Sequence, residues 1–71
     1  MKFSVVLEDL SYEIPRINVL VENLETEQLP ITGDYLILDI ENQGQIKYLV
    51  IKVCRSFFKG KEYNTVSVLD A

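Results

Sequence analysis

The feature that most constrains the fold is a pair of apolar runs within residues 33–57, joined by a short polar segment. Residues 35–40 form the first run, residues 41–45 are polar and contain Gly44, and residues 46–54 form the second run. Apolar runs separated by a short Gly-containing turn are typical of a β-hairpin. We therefore predict that this hairpin is the central element of the fold and that the rest of the chain packs on it or pairs with it.

The second strand of this hairpin is apolar on both faces. Tyr48 and Val50 alternate with Leu49, Ile51 and Val53, and alternate residues of a strand point to opposite sides. Two interpretations follow. The strand is central and covered on both faces, or a bulge shifts the alternation so that Tyr48, Val50 and then Val53 all face inward.

Three further segments have the period of two that is typical of strands, namely residues 2–8, 16–24 and 62–70. Turns are predicted at residues 9–15, which include Pro15, and at residues 57–61, and residues 23–28 are predicted to form a loop. The inward-facing residues are predicted to be Phe3, Val5 and Leu7, then Leu36, Leu38 and Ile40, and finally Asn64, Val66 and Val68. In residues 16–24 the pattern places Ile17, Val19 and Val21 on one face and Leu20 on the other.

Five short strands without a long helix indicate a single all-β domain that covers residues 1–71. An OB-fold normally has a helix between its third and fourth strands, whereas here a turn of about three residues joins them. The pattern therefore favours a five-stranded small SH3-like barrel. A strongly bent antiparallel sheet, completed by dimerisation, is the alternative.

A family resemblance rests on turn and core residues in the middle of the chain, namely Leu29-Pro30, Gly33-Asp34, Tyr48, Val50, Val53 and Phe57. This succession resembles small SH3-like β-barrel proteins, in which a Pro-x-x-Gly-Asp turn leads into a strand and a Tyr-x-Val-x-x-Val strand follows. The resemblance covers less than half of the chain. It implies a binding or assembly module rather than a particular enzymatic activity.

The residue types present argue against an enzyme. The chain has no histidine and a single cysteine, Cys54, so it has neither Ser-His nor Cys-His nucleophile pairs nor an intramolecular disulfide. Lys52 and Arg55 would activate the Cys54 thiol if they surrounded it, but free cysteines usually pack in the interior. We therefore expect Cys54 to be a packing residue and predict no catalytic site.

No cofactor or metal site is predicted either. Glu22, Glu25 and Glu27 offer oxygen ligands, but their spacing differs from that of an EF-hand loop, so we interpret them as a solvated acidic loop. The three glycines are isolated and form no phosphate-binding loop. Because the chain has neither a signal peptide pattern nor an apolar run of about 18 residues, we expect a cytoplasmic protein without membrane association.

Charge is segregated along the chain. Residues 1–41 contain two basic and nine acidic residues, whereas residues 42–71 contain five basic and two acidic residues. Aromatic residues lie among the basic ones near the end of the second half. The candidate partner-binding residues are Lys52, Arg55, Phe57, Phe58, Lys59, Lys61 and Tyr63.

Two functions would use this basic aromatic edge. The first is a non-enzymatic module that binds a protein partner or a second copy of itself, with the acidic half of one copy meeting the basic half of the next. The alternative is single-stranded nucleic-acid binding, which the net charge of −4 disfavours. Because Phe57 and Phe58 point to opposite faces of a regular strand, we expect either one exposed ring or a bulge that buries both.

Overall fold

The computed structural model describes residues 1–9, 13–14 and 16–71. Its five strands are β1 (Lys2–Asp9), β2 (Arg16–Glu25), β3 (Tyr35–Ile40), β4 (Gly44–Phe58) and β5 (Lys61–Asp70). Residues 10–12 and 15, which belong to the predicted first turn, lie outside the described residues. No helix in the described part of the chain is long and apolar enough to cross a membrane.

The strands form one sheet in the order β2-β1-β5-β4-β3, and this sheet is curled into a half-barrel. The prediction of a five-stranded all-β fold is therefore confirmed. Neighbouring strands run antiparallel except β1 and β5, which run parallel. The sheet is thus mixed, because the first and last strands of the chain lie side by side and run in the same direction.

A bulge in β4 explains why this strand is apolar on both faces. Val50 pairs with Val68, but the next pair is Lys52 with Ser67, so Ile51 is an extra residue without a partner in β5. The alternation of side chains therefore shifts by one position at Ile51. Tyr48 and Val50 are buried and Val53 packs against them, which confirms the second of the two interpretations of this strand.

The core lies on the concave face of the sheet. Its buried apolar residues come from β1, β4 and β5, and they are Phe3, Val5, Tyr48, Val50, Val66 and Val68. Half-buried residues of the outer strands, including Leu36 and Leu38 of β3, pack against this cluster. Asn64 is also buried, as predicted.

Irregular pairing of β1 with β2 divides the apolar residues of β2 between the two faces. The register shifts between Phe3 and Val5 and again between Val5 and Val6. As a result Val21 pairs with the buried Val5, whereas Ile17 and Val19 are exposed, so the prediction that these three share one face is wrong. Leu20 and Leu24 pack against the core. β2 also continues through Glu25, so the predicted loop begins later than the sequence pattern indicated.

The hairpin between β4 and β5 is tighter than predicted. Phe58 pairs with Lys61, so the turn consists of Lys59 and Gly60 alone. Both turn residues have positive φ, 51° and 75°, which is the geometry of a two-residue type I′ turn. The predicted turn at residues 57–61 was therefore too long, because the strands continue up to this short connection.

Burial also affects the acid–base behaviour of one core residue. Burial raises the pKa of the Tyr48 phenol, and the carboxylate of Asp70, its partner in the register of β4 with β5, raises it further. In both cases the neutral phenol is favoured over the phenolate. The folded chain therefore retains the Tyr48 proton at a pH where the unfolded chain loses it.

This difference predicts a loss of stability in alkaline solution. The contribution of Tyr48 is fully present below its ordinary pKa of 10.0 and declines as the pH rises from there through the higher folded-state pKa. Urea unfolding followed by circular dichroism should show a steeper alkaline decline in the unfolding free energy for the wild type than for Tyr48→Phe. Equal declines in the two proteins would contradict this assignment.

The core also predicts a large effect from a small truncation. Val66 is fully buried, so Val66→Ala should lower the unfolding free energy by about 2–3 kcal/mol through lost burial and the cavity left behind. The matched control is Val19→Ala at an exposed position of β2, which should cost less than about 1 kcal/mol. Urea unfolding measures both, and similar losses would contradict the proposed core.

Candidate functional site

The hairpin of β4 and β5 extends past its neighbours in the sheet. The pairing of β1 with β5 begins at Ser4 and Thr65, and the pairing of β3 with β4 reaches only Leu49 at this end. Residues 55–64 therefore pair only with one another, in four cross-strand pairs from Arg55 with Asn64 to Phe58 with Lys61. We call residues 55–64 the hairpin arm.

The register of the arm assigns its side chains to two faces. Val53 pairs with Val66 on the concave face, so Arg55, Phe57 and Glu62 follow on that side. The opposite, outer face of the arm carries Ser56, Phe58, Lys61 and Tyr63.

Both phenylalanine rings of the arm are exposed. The accessible fraction is 71% for Phe57, 62% for Phe58 and 52% for Tyr63. Neither expected arrangement, with one ring exposed or both buried, is found. The arm extends beyond the backbone pairing of β5 with β1 and of β4 with β3, and within the described residues the core cluster includes neither ring.

Arg55 is paired within the arm. Its Nη2 and Nε atoms lie 2.6 Å and 2.8 Å from the same Oε1 oxygen of Glu62. The two residues are diagonal neighbours on the concave side of the hairpin, where side chains of opposite charge attract each other. Glu62 therefore neutralises one of the cations that the sequence suggested for a partner, and this residue was missed because only the register places it beside Arg55.

The three predicted lysines differ in their surroundings. Lys52 lies outside the arm, next to the bulge, and its Nζ is 3.8 Å from Oε1 of Glu8. Lys59 lies in the turn with its Nζ 5.4 Å from the centre of the Phe58 ring. Within the described residues no acidic side chain pairs with Lys59 or Lys61, so these two carry the uncompensated positive charge of the arm.

The structure thus brings together only part of the predicted set. Phe58, Lys61 and Tyr63 share the outer face, with Lys59 beside them in the turn. Arg55 and Phe57 lie on the opposite side of the arm. The predicted edge is therefore a two-sided projection. One side has two aromatic rings and two unpaired cations, and the other has one aromatic ring and a neutralised ion pair.

The prediction that Cys54 is a packing residue is wrong, because its side chain is exposed. The bulge at Ile51 directs Val53 inward and consequently Cys54 outward. Its Sγ atom is 3.8 Å from Oγ of Ser56, two residues along the same face. Among residues 1–9, 13–14 and 16–71, no three Cys, Asp or Glu side chains cluster in a way that could hold a metal ion.

A shallow cleft lies where the base of the arm meets β1 and β2. Its volume is about 200 Å³ and its lining includes Lys2, Asn23 and Asn64. Nδ2 of Asn64 donates a hydrogen bond of 2.9 Å to the carbonyl oxygen of Lys2. This bond ties the base of the arm to β1, which leaves the arm's outer end as the projecting part.

Comparison of the chain with protein-family models, curated proteins and solved structures finds no match. The functional assignment therefore rests on the geometry of the arm, on its charges and on the residue types that it exposes.

The exposure of the arm predicts that its rings contribute little to folding. Phe57→Thr and Phe58→Thr should each change the unfolding free energy by less than about 1 kcal/mol, because threonine suits a strand and neither ring is in the core. Phe3→Thr is the matched control at a buried position and should cost more than about 3 kcal/mol. Urea unfolding of the three variants checks this, and a large loss from either arm variant would contradict the exposure of its ring.

Proposed function

We propose that this protein is a non-enzymatic interaction module that binds a protein partner, either another protein or a second copy, through the hairpin arm. The observation that carries the proposal is the exposure of Phe57, Phe58 and Tyr63 on a hairpin that extends beyond the pairing of its strands with β1 and β3. Exposed aromatic residues grouped in this way are typical of protein-binding surfaces. The resemblance of the sequence to small SH3-like barrels also favours a binding module.

The charges of the arm favour an acidic partner. Lys59 and Lys61 have no acidic neighbour within the described residues, and both lie beside aromatic rings that a partner would cover. A second copy offers such a surface, since residues 1–41 contain nine acidic and two basic residues. Contact between the arm of one copy and the acidic half of the next would give head-to-tail association.

The alternative function, binding of single-stranded nucleic acid, would use the same outer face. Phe58 and Tyr63 would stack on bases, and Lys59 and Lys61 would contact phosphates. Two observations weigh against it. Glu62 neutralises Arg55, and the chain has a net charge of −4, which repels a polyphosphate at long range.

Substitution of the two phenylalanines tests the proposed role of the arm. The double variant Phe57→Thr/Phe58→Thr should bind a captured protein partner at least about 10-fold more weakly than the wild type, because central aromatic residues dominate binding energy. Affinity capture followed by titration calorimetry measures the difference. The control is Ile17→Thr, at an exposed position in β2, which should bind as the wild type does.

Two outcomes would overturn the proposal. One is a double variant that binds every captured protein as tightly as the wild type does. The other is salt-dependent binding of a labelled single-stranded oligonucleotide that the Phe57→Thr/Phe58→Thr substitutions abolish, because this would assign the arm to nucleic acid instead.

A further inference from the structure

The outer edge of β3 is an unpaired strand edge. β3 is the last strand of the sheet, and among the described residues it pairs only with β4. A strand at such an edge exposes a row of backbone N–H and C=O groups that can bond to another strand. The hairpin arm lies elsewhere, at the far end of β4 and β5, so this edge is a second surface with a separate role.

The hydrogen bonds next to β3 show which residues face the open edge. The N–H of Val50 donates to the carbonyl oxygen of Asp34 at 2.9 Å, so Asp34 directs its polar group toward β4. In an antiparallel pair this direction alternates along the strand. The backbone N–H and C=O groups of Tyr35, Ile37 and Asp39 therefore point away from β4, toward the open edge.

This edge lacks several of the features that usually prevent strands from pairing, and Asp39 is its one charged residue. The register of β3 with β4 runs from Tyr35 with Leu49 to Ile40 with Gly44 without a shift, and β3 contains neither proline nor lysine. The edge at the other end of the sheet differs, because β2 has two register shifts in its pairing with β1. Such irregularities oppose further pairing.

The side chains of β3 are apolar on both faces. Tyr35 and Ile37, on the convex face, are 59% and 65% exposed, while Leu36 and Leu38 pack only partly against the core. A solvent-exposed edge strand with one apolar residue after another is a liability unless something covers it. The pattern is instead typical of a strand inside a larger sheet.

We propose that β3 pairs antiparallel with β3 of a second copy about a two-fold axis at Ile37, which joins two half-barrels into one continuous sheet. The three residues that face the open edge are arranged symmetrically about Ile37. In this register Ile37 lies opposite Ile37 of the second copy, and Tyr35 lies opposite Asp39 of the second copy. Each of the three resulting pairs exchanges two N–H to C=O hydrogen bonds, and a register shifted by two residues would place one of the three outside the pairing.

The same register is complementary in charge. The Nζ atom of Lys47 lies 4.2 Å from the centre of the Tyr35 ring, on the convex face. Asp39 also lies on that face and has no ion-pair partner in the described part of the chain. Asp39 of the second copy would therefore meet the Tyr35 and Lys47 pair, and the two-fold axis would repeat this contact. On the concave face Leu36 would lie opposite Leu38 of the second copy and cover it.

This match within one short segment identifies the occupant as a second copy rather than an unrelated strand. A two-fold interface uses the same patch twice, so it requires a patch that complements itself. β3 meets this requirement in three respects. Its edge-facing backbone groups are symmetric about Ile37, Leu36 lies opposite Leu38 of the second copy, and Asp39 lies near Lys47 of the second copy. The inference goes beyond the proposed role of the arm and does not depend on it.

Sedimentation at micromolar to millimolar concentration tests the inference. The wild type should form a dimer, and Ile37→Lys should weaken its association at least about 10-fold, because two ammonium groups would face each other across the axis. The control is Ile17→Lys, which makes the same substitution at a similarly exposed position of β2. This variant should still form the dimer. Circular dichroism confirms that both variants are folded. A wild type that stays monomeric, or an Ile37→Lys variant that dimerises normally, would overturn the inference.

A charge reversal tests the register itself. Asp39→Lys and Lys47→Asp should each weaken the dimer, and the double variant should recover part of the lost association because the contact is restored with opposite signs.

In hydrogen exchange, the amides of Tyr35, Ile37 and Asp39 should become protected as the protein concentration rises. Phe57→Thr/Phe58→Thr should leave this dimer unchanged, which separates a failure of this inference from a failure of the proposed arm function. The absence of both rescue and protection would overturn the register.

Discussion

The bulge at Ile51 is the constraint on which the rest of the structure depends. It allows Tyr48 and Val50 before it and Val53 after it to face the same core, so one long strand can serve a strongly curved sheet. After the bulge, side chains again alternate between the two faces up to the end of β4. The bulge therefore also decides that Cys54 is exposed and which of the two phenylalanines of the arm lies on the concave side.

The small size of the chain explains why the sheet stays open. Six buried apolar residues form the core cluster, and the sheet ends at β2 on one side and at β3 on the other. Few residues are available to close a barrel of this size. The chain instead retains exposed apolar residues on its surface, among them those of the hairpin arm and β3 and also Ile17 and Val19 of β2. We propose the hairpin arm and β3 as the sites where another polypeptide completes the burial that one chain leaves unfinished.

The sequence predicted which residue types the candidate site contains, but not how these residues are arranged in space. The aromatic and basic residue types could be read from the sequence because they are close neighbours along the chain. Their division between two faces could not, since it depends on the register of β4 with β5. The same register places Glu62 against Arg55, which changes a uniformly basic edge into one neutral side and one basic side. The edge of β3 was missed for a similar reason, because its exposure depends on which strand lies at the end of the sheet.

The sequence by itself determined the strands, most of the turns and the all-β class, because a period of two and the positions of glycine are local properties of the chain. It also determined the segregation of charge between the two halves. Only the tertiary structure decided which of two interpretations of β4 holds, that β1 and β5 run side by side in parallel, and which aromatic residues remain exposed. These features depend on pairing between residues far apart in the chain, where a shift of one position moves every following side chain to the other face.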